Sequence, residues 1–104
     1  MLIQFYRVKH KPTGLYYQPG AWSTLSERGK IYSTGNNIIN FMRGGCPKRW
    51  LYVGNEKTKK KYFDVLKKCG EYTRIFVGGE WKNGFKINAD IKDFEIETMT
   101  FAKI

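Results

Sequence analysis

The residues of this chain that could do chemistry are its cations and its aromatic rings, and they occur together. Arg7, Lys9, Lys11, Lys30, Arg43, Lys48 and Arg49 stand among Tyr16, Tyr17, Trp22, Tyr32, Trp50 and Tyr52, and a second run of cations follows at Lys57, Lys59, Lys60 and Lys61. Cations position phosphates, and exposed rings stack on unpaired bases. The interleaving therefore predicts a binder of nucleic acid, with RNA or other single strands favoured over duplex DNA. The expected contact residues are Arg7, Lys9, Lys11, Tyr17, Trp22, Lys30, Arg43, Lys48, Arg49, Lys57, Lys60 and Lys61. Trp22 follows Pro19-Gly20 in a loop and is expected to be exposed, whereas Trp50 and Trp81 are expected to be largely buried.

The charge balance points the same way. The 104 residues carry a net charge of +10, and it is unevenly spread. Residues 1–70 hold 14 basic and three acidic groups, while residues 71–104 hold five and six. A one-sided excess of this kind attracts polyanions. The sequence carries no RRM, KH or helix-turn-helix signature, so readout of particular bases is not implied.

Catalytic chemistry finds less support. His10, the single histidine, lies beside a Pro-Gly turn without a carboxylate placed to orient it, and is expected to be an exposed turn residue. Asp93, Glu95 and Glu97 alternate along a strand and are expected to form a solvated face. Neither Gly44-Gly45 nor Gly78-Gly79 leads into a phosphate loop. Cys46 and Cys69 are expected to be buried thiols, and no CxxC or HxxxH spacing offers a zinc site. The expectation is a protein that is not an enzyme, with no cofactor and no metal.

The elements that must position these groups can be read from periodicity and punctuation. Leu2–Lys9 alternates as a strand, Pro12 and Gly14 fit a tight turn with Gly14 at positive φ, and Leu15–Tyr17 returns as a hairpin partner. A loop over Ala21–Arg28 precedes a third short strand, Lys30–Tyr32. Ser33, Thr34 or Asn36 can cap a short helix over Asn37–Arg43, which Gly44-Gly45 end. Trp50–Val53 reads as a strand. Asn55 caps a long helix over Glu56–Cys69, whose stripe is Tyr62, Val65, Leu66 and Cys69. The lysines near its start oppose the helix dipole, which suggests that they face a partner. Glu71–Val77 is a strand, Gly78-Gly79 a turn or bulge, and Asn83-Gly84 a hairpin turn. In the closing strand the apolar phase slips near Thr98, which predicts a bulge.

The run Tyr6-Arg7-Val8-Lys9-His10-Lys11-Pro12-Thr13-Gly14-Leu15-Tyr16, then Gly20, Gly29-Lys30-Ile31-Tyr32 and Gly35, resembles a family of small uncharacterised proteins of tailed bacteriophages. These open with an R-x-K-x-TGLY hairpin, continue with a GK-x-W/Y-x-x-x-G segment and close with an acidic-hydrophobic strand, here Asp93–Glu97. The resemblance covers about 40 N-terminal residues and the last 12. It implies a phage origin and a role in acting on host nucleic acid or host machinery. An alternative partner is then an acidic or nucleic-acid-binding host protein, with this chain an inhibitor of a host defence system or host enzyme.

The expected fold is α+β: a mostly antiparallel sheet of five to seven short strands with two helices on one face. One domain is expected over 1–104, comprising a hairpin-strand-helix motif (1–45), an insertion with the basic helix and a hairpin (46–90) and the closing strand (91–104). No apolar run approaches the roughly 20 residues of a membrane span, and the start lacks a signal-peptide pattern. The cytoplasm of a host cell is the expected location.

Overall fold

Alternation of apolar and polar residues builds most of this chain into strands. The computed structural model describes residues 2–19, 24–33, 50–88 and 90–102. Strands β1 (Leu2–His10), β2 (Leu15–Gln18), β3 (Thr24–Ser26) and β4 (Trp50–Val53) precede helices α1 (Glu56–Lys61) and α2 (Phe63–Cys69). Strands β5 (Gly70–Val77) and β6 (Glu80–Asn88), a 3₁₀ turn at Ile91–Asp93 and β7 (Phe94–Ala102) complete them. The strands form one seven-stranded sheet in the order β5-β6-β4-β3-β2-β1-β7. Every neighbouring pair is antiparallel except β3 and β4. The fold is α+β, as the patterning predicts.

The pairing register sorts side chains between two faces, because successive residues of a strand point to opposite sides. Val8, Leu15, Tyr17, Leu25, Leu51, Val53, Phe85, Ile87 and Phe94 share one face and are buried. Leu66 of α2 seals this cluster, with Tyr62 and Cys69 packed against it and the Phe63 ring 5.4 Å edge-on to Phe85. Cys69 is half-buried, and burial raises its thiol pKa. The opposite face carries Arg7, Lys9, Tyr16, Trp50, Tyr52 and Lys86.

The first turn forms as the sequence predicts: Gly14 has φ 76°, and its N–H donates to the His10 carbonyl at 2.8 Å. Asn55 likewise caps α1, its side chain accepting from Thr58 N at 3.1 Å. Other expectations are corrected. The loop over Ala21–Arg28 contains β3, in which Leu25 alone is apolar, so three residues are too few to show a period. Lys30–Tyr32 is not a third strand but a single bridge, with Tyr32 and Tyr6 exchanging two 2.8 Å backbone hydrogen bonds. That bridge occupies the edge of β1 that short β2 leaves unpaired.

The long helix is interrupted at Tyr62, which adopts φ −110° and ψ 20°. Its halves bury different residues, Thr58 and Lys59 in α1 and Leu66 in α2. Asn83-Gly84 is not the hairpin turn. Gly78 and Gly79, at φ 64° and 81°, make the two-residue connection, since both of its positions call for positive φ. Gly84 instead pairs with Thr73 inside β6, where a Cβ would lie 2.5 Å from Val53 O and from Ile75 Cδ1. There is no bulge at Thr98: β7 pairs with β1 residue for residue, from Leu2↔Ala102 to His10↔Phe94. The phase slip reflects apolar residues on both faces, with Phe101 stacked edge-on against Phe5 away from the core. The expected helix over Asn37–Arg43, its caps and Cys46 lie outside the described residues.

Candidate nucleic-acid interface

Four of the predicted contact residues, Trp22, Arg43, Lys48 and Arg49, lie outside the described residues. The other eight separate by environment. Tyr17 is buried at 3% exposure and belongs to the core, because β2 turns Leu15 and Tyr17 inward and Tyr16 outward. It has no place in the candidate site. Arg7 is committed within the fold: it pairs with Glu97 across β1 and β7 and lies 3.7 Å over the Tyr16 ring. Tyr16 in turn donates to Glu97 Oε2 at 2.8 Å. These two hydrogen bonds hold the Glu97 carboxyl below its ordinary pKa, and burial raises that of Tyr16. Arg7 therefore supports the sheet face rather than offering a free cation to a phosphate. The acidic row is not simply solvated, since Glu97 serves this cluster and Asp93 sits in the 3₁₀ turn.

Lys61 is exposed but pairs with Glu27 at 3.2 Å. Lys9, Lys11, Lys30, Lys57 and Lys60 make no ion pair within 4.0 Å among the described residues. Lys30 lies 5.5 Å over the Tyr32 ring. Lys59 behaves differently from its neighbours. It is buried, and its Nζ donates to the Asn83 carbonyl and to Glu56 Oε1, so one of the lysines opposing the helix dipole faces the protein and not a partner.

His10 is not an exposed turn residue. It is 1% exposed, with Nδ1 2.8 Å from Thr13 Oγ1 and its ring 5.0 Å from that of Phe94. Burial lowers its pKa, partly opposed by the charge of Asp93. Its position on β1 points it into the core, a phase it shares with Tyr6 and Val8 and which outweighs the nearby turn. Among the described residues no cluster of His, Cys, Asp and Glu could hold a metal ion.

The rings available to a ligand are ones that tryptophan's usual preference assigns to the core. Trp81, expected to be buried, is 62% exposed, and Trp50 is only half-buried. The alternation of β6 places Phe85 and Ile87 inward, but Trp81 lies beside the hairpin turn, beyond the reach of β4, which pairs only with Phe85–Asn88. Tyr52 and Lys86 are cross-strand partners, and Lys86 Nζ sits 4.5 Å over the Trp50 ring, a close cation–π contact. Beside them the hairpin contributes Arg74, Phe76 and Trp81, and with Tyr52, Ile75 and Lys86 these line a groove of ≈ 370 Å³. Arg74 lies 5.8 Å from the Trp81 ring centroid, and Phe76 tilts against that ring at 5.4 Å. By register Trp50, Tyr52, Ile75 and Lys86 belong to the face opposite Phe85, whereas Arg74, Phe76 and Trp81 share the phase of Phe85. The groove thus draws cations and partly or mostly accessible rings from both phases of the hairpin. The sequence signal for this site is the placing of Arg74 and Lys86 on the strands of one hairpin with Trp81 between them.

No protein family, curated protein or solved structure matches the chain.

Proposed function

We propose that this chain is a small non-enzymatic protein that binds single-stranded nucleic acid on the sheet face opposite α2. The observation that carries the reading is the cross-strand arrangement of that face. Lys9 neighbours Tyr16, and Tyr52 neighbours Lys86, which covers Trp50, where a structural face would place aliphatic side chains. Cations there can meet a phosphate backbone while flat rings accept unpaired bases, a combination a stacked duplex cannot use. The single histidine supports the non-enzymatic part, because it is buried and bonded to Thr13 instead of facing a cleft. The phage origin and the host cytoplasm belong to the same proposal through the family resemblance, and no described helix is long and apolar enough to cross a membrane.

Fluorescence anisotropy with labelled single-stranded and duplex oligonucleotides across a salt series tests it. Single strands should bind more tightly, and neutralising about four phosphates gives a log–log salt slope near −3. Binding weaker than about 10⁻⁴ M at low salt refutes the reading, since non-specific binders usually exceed that. Capture of one host protein from nuclease-treated lysate, without oligonucleotide binding, would favour the inhibitor alternative instead.

A further inference from the structure

We infer that the groove between the β5–β6 hairpin and β4 is a subsite for one nucleotide of the strand, with Trp81 stacking on the base and Arg74 and Lys86 flanking the phosphate. This rests on the nucleic-acid reading above and extends the interface from Tyr52 and Lys86 to Arg74, Phe76 and Trp81, which belong to the other phase of the hairpin but line the same cavity. Three features of the groove favour a nucleotide over other occupants. Its volume of ≈ 370 Å³ lies at the lower end of the roughly 300–1,000 Å³ of small-molecule sites, enough for one base and its phosphate. Trp81 is the most exposed large apolar residue among those described, so a ring face is available without rearrangement of the core. Among the described residues the lining holds two cations and no acid. Glu71, the carboxylate nearest in the pairing because β5 places it opposite Lys86, makes no ion pair with it, and Lys86 turns to Trp50 instead.

The floor is apolar and closely packed. Ile75 is 3% exposed and its side chain occupies the space above Gly84, where any Cβ would collide with it. A flat aromatic base is suited to such a floor, whereas an acidic peptide would satisfy the cations and leave the Trp81 face uncovered. Among the described residues the lining offers no side-chain amide or carboxylate to the exocyclic groups of the base, so the subsite should accept any base and prefer those that stack most strongly.

The test uses the full chain and adenosine 5′-monophosphate, read by tryptophan fluorescence, with the oligonucleotides above read by anisotropy. The mononucleotide should quench the wild type, and Trp81→Phe should abolish most of the quenching, leaving Trp22 and Trp50 as bystanders. Trp81→Ala should weaken a single-stranded oligonucleotide about tenfold or more while changing duplex binding little; Trp81→Phe, which keeps a ring, should stay within about threefold of wild type. The exposure of Trp81 predicts unchanged circular dichroism and melting for both variants. Equal affinity of wild type and Trp81→Ala for the single strand overturns the subsite while leaving the interface standing. Quenching by inorganic phosphate at the same ionic strength also overturns it, reducing the groove to an anion site. Failure of the wild type to bind any oligonucleotide removes the interface reading and the subsite with it.

Discussion

His10 sits where the first turn, the start of β7 and the core meet, and Glu97 sits across the sheet in the Arg7–Tyr16 cluster; each shapes how stability falls in acid, in its own pH window. Burial holds the His10 pKa below its ordinary value, so the unfolded chain takes up a proton that the folded chain resists. The stability contributed by neutral His10 is therefore complete above the unfolded value, about 6.5, and is lost as pH falls through it towards the folded one. Hydrogen bonds from Arg7 and Tyr16 hold Glu97 low, so its contribution is present above the unfolded value of about 4.3 and is lost as pH falls through the folded one. Denaturant midpoints should decline in two windows, with His10→Gln flattening the upper and Glu97→Gln the lower. A wild-type midpoint that stays constant between about pH 7.5 and 5.5 would refute the role given to His10. At this scale the sequence is legible for type but not for orientation. Arg7 looks like a free cation until its cross-strand partner, 90 residues away in the chain, is known. Tyr17 and Tyr16 are equivalent until the strand phase assigns one to each face.

Strand and helix patterns are the most legible part of the chain, and they mislead where two local signals compete. Gly78-Gly79 and Asn83-Gly84 both suit a tight hairpin. Only the tertiary structure decides between them, by requiring an empty position at Gly84 for Ile75 to cross. Gly84→Ala should accordingly cost about 1–3 kcal/mol through overpacking. Gly14, at positive φ but with nothing within 4 Å of an added Cβ, should cost about 1 kcal/mol on replacement by Ala. Urea melts of the two variants rank them, and a smaller loss at Gly84 would mean that the hairpin register is wrong. The helical stripe points correctly to Leu66, which is fully buried, so Leu66→Ala should cost about 2–5 kcal/mol. Lys60→Ala should change stability by less than about 0.5 kcal/mol. Lys59→Ala should cost about 1–3 kcal/mol, because it removes a buried donor to the Asn83 carbonyl. Helical periodicity alone does not separate these adjacent lysines: the difference comes from β6 lying beneath one of them.

At the scale of the whole molecule the question is which side of the sheet an anion meets. Net charge is legible from composition, but its direction is not, because the cations without an ion pair among the described residues stand both on α1 and on the sheet face opposite α2. Lys57 and Lys60 stand exposed on α1, while Lys9 and Lys86 share the sheet face of Tyr16, Trp50 and Tyr52. Long-range attraction would treat the two pairs alike, since a field that steers a polyanion depends on total charge. Direct phosphate binding would not, because a phosphate that no cation neutralises keeps its counterion, and each one reduces the salt slope by about 0.7 for a single strand. Neutralising Lys9 and Lys86 together, as Lys9→Gln and Lys86→Gln, should weaken single-strand binding about tenfold and flatten the slope by about 1.4 if both touch phosphates. The Lys57→Gln, Lys60→Gln variant has the same net charge and should keep the wild-type slope, with only a small loss of affinity at low salt. Anisotropy titrations of both variants at about four salt concentrations separate the cases. Equal slopes and equal losses would mean that binding is diffuse electrostatics over the whole surface, and the sheet face would lose its claim to be the interface.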